Sequence, residues 1–209
     1  MESTPLHDID GSRFAATWTI GVPTKPGFTR GGKVKHIVGS VLGIVLSGVF
    51  LSAPGIVEAT MSGLLIASPA FGPNATIPSK FTCDGPDLSP PLRFENIPEQ
   101  TRSLALIVDD PDAPRGTWVH WVVWNIPPGT RELPENGLPG GALQGTNDFR
   151  TRKYGGPCPP AGKHRYFFKL YALDTILSLN PGSTKGQLEE AMKGHILDQA
   201  ELVGLYERR

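Results

Sequence analysis

Three stretches of the chain alternate at the period of a β-strand and are apolar on both faces. Ser103 to Asp109 sets Leu104, Leu106 and Val108 against Ala105 and Ile107. Val119 to Ile126 sets His120, Val122, Trp124 and Ile126 against Val119, Trp121 and Val123. Arg165 to Leu173, rich in Tyr, Phe and Leu, continues a face that carries His164, Tyr166, Phe168 and Leu170. Strands apolar on both sides belong in the middle of a layered protein, so these three are read as buried central strands. Weaker strands are expected around Lys80–Cys83 and Leu92–Phe94, with Ala200 to Tyr206 as a last strand that closes the sheet.

One helix is marked. Thr184, followed three residues later by Gln187, forms a capping-box pattern, and Leu188, Ala191, Met192 and Ile196 then recur at helical spacing, with His195 on the same helix. The stretch from Pro127 to Gly162 is Gly/Pro-rich and lacks a period, and a loop of that length in a compact domain is functional or internally structured. From residue 60 onward the pattern is that of an all-β domain with one helix in its C-terminal region and long Gly/Pro-rich loops.

The first 59 residues read differently. Residues 1–33 have no helical or strand period and are expected to be a disordered extension, or an artefact of a start codon placed too far upstream. Residues 34–59 resemble a secretory signal: basic residues are followed by an uncharged run of 15 from Ile37 to Leu51, and cleavage is expected after Ala59. An uncleaved membrane anchor formed by residues 37–57 is the alternative, although a span needs about 20 apolar residues. Residues 60–209 form the domain, and the expected location is periplasmic or secreted.

Composition narrows the classes further. The chain holds 25 Gly and 21 Pro, far more than a helical bundle tolerates. Its 20 Lys and Arg balance 20 Asp and Glu, which gives no global field to attract nucleic acid. Any anion site must therefore be local. The two cysteines, Cys83 and Cys158, sit in Gly/Pro-rich loops, and an exported chain would allow them to pair. A disulfide and two unrelated small hydrophobic residues both stay open at this point.

Three segments carry candidate chemistry. Asp109-Asp110-Pro111-Asp112-Ala113-Pro114 ends the first central strand with three carboxylates in four positions. His120 lies inside a strand of aromatic and aliphatic residues, where an imidazole needs a partner. A return of the chain over Arg115 to Thr117 would bring Asp110 to His120, fixing its tautomer and leaving the other ring nitrogen for a ligand. Gly155-Gly156-Pro157-Cys158-Pro159-Pro160 then delivers His164 to the start of a strand, with loop N–H groups that would suit a phosphate or carboxylate.

Leu104 through Pro114, Trp118 through Asn125 and Gly155 through Tyr166 together resemble the signature blocks of the phosphatidylethanolamine-binding proteins, also called Raf kinase inhibitor-like proteins. Phe81-Thr82-Cys83-Asp84-Gly85, Ser89-Pro90-Pro91-Leu92 and Gly145-Thr146-Asn147-Asp148-Phe149 are similar to the YbhB/YbcL branch of that family. The resemblance runs from about Leu64 to Arg209. It implies an antiparallel Greek-key β-sandwich with a small anion-accepting cavity lined by Asp110 and His120, with Pro157, Cys158, His164 and Tyr166 on the opposite wall. Val119 stands where eukaryotic members often carry a second His, and Cys158 replaces a proline of their pocket loop.

The expected function is therefore non-enzymatic binding of a small anion or phosphorylated head group. Each neutral imidazole would donate one hydrogen bond, and affinity would rise on acidification. A module that inhibits a kinase or protease partner is the second reading. A hydrolase using a metal or Cys158 is the third, disfavoured by the lack of a His-Glu-x-x-His or Gly-x-Ser-x-Gly motif. No cofactor or nucleic acid is implied, and a homodimer is left open.

Overall fold

The computed structural model describes residues 63–208. The expectations for residues 1–33 and 34–59 fall outside the described residues. Among the described residues the order is β1 (Leu65–Ala67), a single 3-10 turn (Ser79–Phe81), β2 (Leu92–Glu95), β3 (Ser103–Asp110) and β4 (Trp118–Ile126). Next come β5 (Glu132–Leu133), β6 (Leu143–Gln144), β7 (Lys163–Leu173), α1 (Lys185–Met192) and β8 (Ile196–Glu207). The strands form a three-stranded sheet, β1-β2-β5, and a five-stranded sheet, β6-β4-β3-β7-β8, with every ladder antiparallel.

The two sheets share one core. Ile66, Leu92, Phe94 and Leu133 of the small sheet pack with Leu104, Leu106, Val108, Trp121, Phe168 and Leu170 of the large one, as sandwich packing requires. A second cluster on the outer face of the large sheet joins Ala105, Ile107, Val122 and Trp124 to Leu188 and Met192 of α1. β3 is buried along its whole length because it has a layer on each side.

β4 departs from simple alternation, and the departure matters for the site. Val108 pairs with Trp121 while Asp109 pairs with Val119, so His120 is the extra residue of a β-bulge. A second shift places Leu104 against Ile126 and Leu106 against Val123. Asn125 there has a φ of 55°, and its side chain bonds the backbone N–H and carbonyl of Leu177. The faces are consequently Trp121, Val123 and Ile126 toward the sandwich and Val119, Val122 and Trp124 toward the helix. The expected grouping of His120 with Val122 and Trp124 is corrected.

Three other expectations change. Ser79–Phe81 is a turn of 3-10 helix rather than a strand around Lys80–Cys83, because the segment folds back on itself through hydrogen bonds from Phe81 to Pro78 and from Thr82 to Ser79. The capping box is present at Thr184, but α1 stops at Met192, and Ile196 begins a last strand longer than expected. His195 therefore lies in the connecting turn, where it pairs with Asp174 at 2.8 Å. The long loop after Pro127 is internally structured by β5 and β6.

α1 is tied to the sheet by charge as well as by packing. Asp109 is fully buried on the outer face, and its carboxylate meets Lys169 Nζ at 2.8 Å and Lys185 Nζ at 2.7 Å. Burial alone would depress the Lys185 pKa, but the hydrogen bond to Asp109 and the nearby carboxylate charges outweigh it and raise the value. Replacing Asp109 with Ala is expected to lower unfolding stability by about 3 kcal/mol, at the low end for a broken buried pair because both ammonium groups reach water. Lys185→Ala is expected to cost less, since Lys169 still neutralises the carboxylate. Guanidinium denaturation of the two variants checks the order.

Candidate functional site

The inner faces of β3, β4 and β7 converge at one end of the sandwich. There a cavity of about 500 Å³ is lined by Asp110, Arg115, Trp118, His120, Phe149, Cys158, His164 and Tyr166, with Ala113, Pro114, Pro159 and Pro160. Asp110 is there because alternation along β3 sends it to the face opposite Asp109. His120 is there because the bulge turns it inward, and His164 and Tyr166 are two apart on β7. The structure thus brings Asp110, His120, Cys158, His164 and Tyr166 together. Pro157 is buried outside the lining, and its carbonyl accepts a hydrogen bond from Cys83 N–H at 3.1 Å.

The partners differ from those expected. Asp110 Oδ2 lies 2.7 Å from Nδ1 of His164, not of His120, and Asp110 Oδ1 accepts the N–H of Asp112 at 2.8 Å. His120 Nδ1 faces the carbonyl of Gly155 at 2.6 Å. A carbonyl can only accept, so Nδ1 carries the proton and, in the neutral ring, Nε2 is an acceptor. An ionised carboxylate likewise only accepts, which makes Nδ1 the donor from His164 to Asp110. Each neutral imidazole has therefore committed its single proton inside the protein, which corrects the expectation that each would donate to a ligand.

Two of the loop amides are likewise committed. Gly155 N–H bonds the His120 carbonyl at 3.1 Å, Gly156 N–H bonds Asp87 at 2.6 Å, and the loop prolines have no N–H to offer. Burial lowers the His120 pKa from its ordinary value, opposed by the Gly155 hydrogen bond and by the charge of Asp110. The Tyr166 hydroxyl is buried and makes no well-formed hydrogen bond, although it lies beside Asp110 and the Cys158 backbone. Burial first, and the Asp110 charge second, push its pKa well above the ordinary tyrosine value.

Several contributors were not singled out in the sequence. Phe149 packs edge-on against both Trp118, with ring centroids 5.5 Å apart, and His120, at 5.3 Å, and it forms a rim that remains partly exposed. Asn147 holds the loop that carries Phe149: its amide donates to the carbonyls of His120 and Lys153 and accepts from Thr151. Arg115 lines the cavity as an exposed cation. Asn147 and Phe149 were visible only as part of a motif, and Arg115 only as a turn residue.

Cys83 and Cys158 are joined, with Cα atoms 5.4 Å apart. The bond closes a separation of 75 residues, and the chain-entropy argument assigns such a loop about 4 kcal/mol. It fastens the cavity wall at Cys158 to the turn after Phe81, beside the Tyr154 hydroxyl bond to the Phe81 carbonyl at 3.0 Å. Gly156 allows this approach, since a Cβ there would stand 2.3 Å from Asp87 Oδ1 and 2.5 Å from the Phe81 carbonyl oxygen.

The sequence model for phosphatidylethanolamine-binding protein matches residues 67–207. A UPF0098 protein of Methanothermobacter thermautotrophicus is 55% identical over 144 residues, which cover 66% of this chain and 95% of that protein. Another, from Pyrococcus horikoshii, is 48% identical over 189 residues, covering 84% and 93%. Among solved structures, a protein of Chlamydia trachomatis described as a homologue of phosphatidylethanolamine-binding protein matches with a TM-score of 0.69 at 45% identity, covering 71% of this chain and 99% of that one. Escherichia coli YbcL, described as a member of the mammalian family, matches with a TM-score of 0.66 at 33% identity, covering 70% and 99%.

Two measurements follow from this geometry. Imidazole ¹⁵N spectra at pH 8 are expected to show both His120 and His164 as the Nδ1–H tautomer; an Nε2–H signal for either ring would contradict the hydrogen bonds described. Gly156→Ala is expected to destabilise the protein by about 1–3 kcal/mol, as overpacking does, and to disturb the His120 signals through Gly155. Denaturation and the same spectra check both effects.

Proposed function

The chain belongs to the phosphatidylethanolamine-binding protein family, and from that premise we propose that it is a non-enzymatic binding protein whose cavity takes a small anion or phosphorylated head group together with a proton. The observation that carries this reading is the commitment of both Nδ1 protons. Because each neutral ring presents a lone pair at Nε2, an anion is accepted only when an imidazole gains a proton or when the ligand supplies one. A phosphate monoester can bring its own proton, whereas sulfate cannot. Arg115 at the mouth adds a permanent positive charge, and the Tyr166 hydroxyl, which makes no well-formed hydrogen bond among the described residues, adds a donor.

The sign of the pH effect follows. His120 has a folded pKa below its ordinary value of 6.5, so the ring is neutral at pH 7.5 and charges only as pH falls past that value. Binding that requires the imidazolium strengthens with acidification and raises the His120 pKa in return. A lining without serine, threonine or a free thiol supports the non-enzymatic reading. The disulfide supports an oxidising location, periplasmic or secreted.

A protein partner is the second reading, favoured by the partly exposed Trp118 and Phe149 at the mouth. Kinase or protease inhibition would belong to it. In that case replacing Trp118 and Phe149 with Ala would abolish partner binding.

Calorimetric titration of the full chain with sulfate and with phosphoethanolamine at pH 7.5 and 5.5 tests the first reading. Sulfate keeps its charge across this range, so its pH dependence reports the protein. Its affinity is expected to rise about tenfold for each pH unit over which one linked proton is taken up. Phosphoethanolamine is expected to retain more of its binding at pH 7.5. Arg115→Ala should weaken both ligands, and a His120→Ala, His164→Ala double variant should bind neither. Lack of binding to either ligand at both pH values in the wild type would refute the reading.

A further inference from the structure

We propose that the Cys83–Cys158 bond is a thiol-exchange site that controls the cavity: a dithiol opens the wall at Cys158, and an anion held in the cavity protects the bond. The last clause rests on the anion-binding reading; the rest stands on the loop geometry. Cys83 is exposed, while Cys158 is half-buried and lines the cavity with His120 and His164. The bond is thus attackable from solvent at one end and part of the binding wall at the other.

The two sides of the bond are not held equally. The Cys83 side is held from elsewhere, since Asp84 accepts the Tyr206 hydroxyl at 2.7 Å and Arg208 Nε at 3.1 Å, and Thr82 N–H bonds Ser79. On the Cys158 side, residues 159–162 make no backbone–backbone hydrogen bond among the described residues, and β7 begins only at Lys163. Pro159 and Pro160 have no N–H, and Gly162 is in the left-handed region with a φ of 73°. Beyond the disulfide, the described hydrogen bonds of the loop lie at Gly155, with His120, at Gly156, with Asp87, and at Pro157, with Cys83, while the Cys158 backbone lies beside the Tyr166 hydroxyl. Cutting the bond therefore frees the 158–162 wall and leaves the Cys83 turn in place.

The chemistry balances with a dithiol as the only added reactant. One thiolate of the dithiol attacks Cys83 Sγ, the S–S bond breaks, and its electron pair leaves on Cys158 Sγ, which takes up a proton. The second thiolate then displaces Cys83 from the mixed disulfide and closes a disulfide within the reagent. The dithiol is oxidised by two electrons and the protein gains two thiols. The slackened wall alters the space beside His164 and the Tyr166 hydroxyl and loosens the Gly155 carbonyl that fixes His120. By linkage, whatever factor reduction removes from anion affinity, a bound anion adds to the resistance of the bond to reduction.

The test uses the full chain titrated with dithiothreitol at pH 7, with and without saturating phosphoethanolamine. Thiols are counted, circular dichroism follows the fold, and hydrogen exchange is read by segment. The expected result is the appearance of two thiols while the β-sheet signal persists, with faster exchange in 158–163 and little change in 79–87. Phosphoethanolamine should bind the reduced form at least about fivefold more weakly, and the reduced-to-oxidised dithiothreitol ratio at the midpoint should rise by the same factor when it is present.

A Cys83→Ser, Cys158→Ser variant is expected to behave as the reduced protein; if it fails to fold, the dithiothreitol series alone decides. Thiols that appear only as the fold collapses, or equal exchange and equal affinity in both redox forms, would overturn the proposal. If phosphoethanolamine binds neither form, the anion reading is what fails. The exchange data then still decide for or against the thiol site.

Discussion

The position of His120 at a β-bulge is the constraint from which the rest of the cavity follows. A regular strand would have sent this residue to the face of Val122 or left it in register with a neighbour. The extra residue between Val119 and Trp121 instead turns the imidazole into the sandwich end, where water is largely excluded. A buried ring with an unpaired N–H would cost about 1–3 kcal/mol, so something has to accept that proton. The acceptor is the Gly155 carbonyl, which comes from a loop remote in sequence. The Asn147 hydrogen bonds, the Gly156–Asp87 contact and the disulfide all act to hold that loop against the bulge.

Adjacent carboxylates do unrelated work because a strand alternates. Asp109 and Asp110 are neighbours in the chain, yet one faces α1 and the other the cavity. Asp109 is neutralised by two lysines and holds the helix to the sheet. Among the described residues Asp110 has no lysine or arginine partner; it has one backbone N–H and one imidazole N–H. Asp112, the third carboxylate, is held down to a pKa of about 2 by the Arg165 hydrogen bond, and it braces the turn from outside. A cluster that reads as a single acidic motif in sequence is three separate electrostatic situations.

The parts of the fold that could be read from sequence are those governed by local period. β3 and the inner face of β7 follow from alternation, and the capping box at Thr184 sets the start of α1. The faces of β4 could not be read this way, since two bulges shift its period. Asn125 inside an apolar strand was the one local sign, as Asn tolerates positive φ. The end of α1 was missed because Ile196 continued the helical spacing past the Gly194 turn. The residues of the cavity were legible as a set, but their pairing was not. Asp110 is ten residues from His120 and 54 from His164, and it is the antiparallel β3–β7 ladder, not chain proximity, that decides which imidazole it meets.

A carboxylate inside a cavity read as accepting anions looks unfavourable at first sight, since like charges a few ångströms apart repel by several kcal/mol at the effective dielectric of a protein surface. The hydrogen bonds limit that conflict. Asp110 is engaged by Asp112 N–H and His164 Nδ1–H, so it need not offer those contacts to a ligand. Its field remains and favours the protonated form of His120 against the desolvation that opposes it. A cavity lined by lysines instead would bind anions at any pH with little selectivity. With Asp110 present, the proposed anion would enter most favourably when a proton enters with it. On the proposed reading, the carboxylate therefore acts less as an obstacle to an anion than as the feature that couples its binding to protonation.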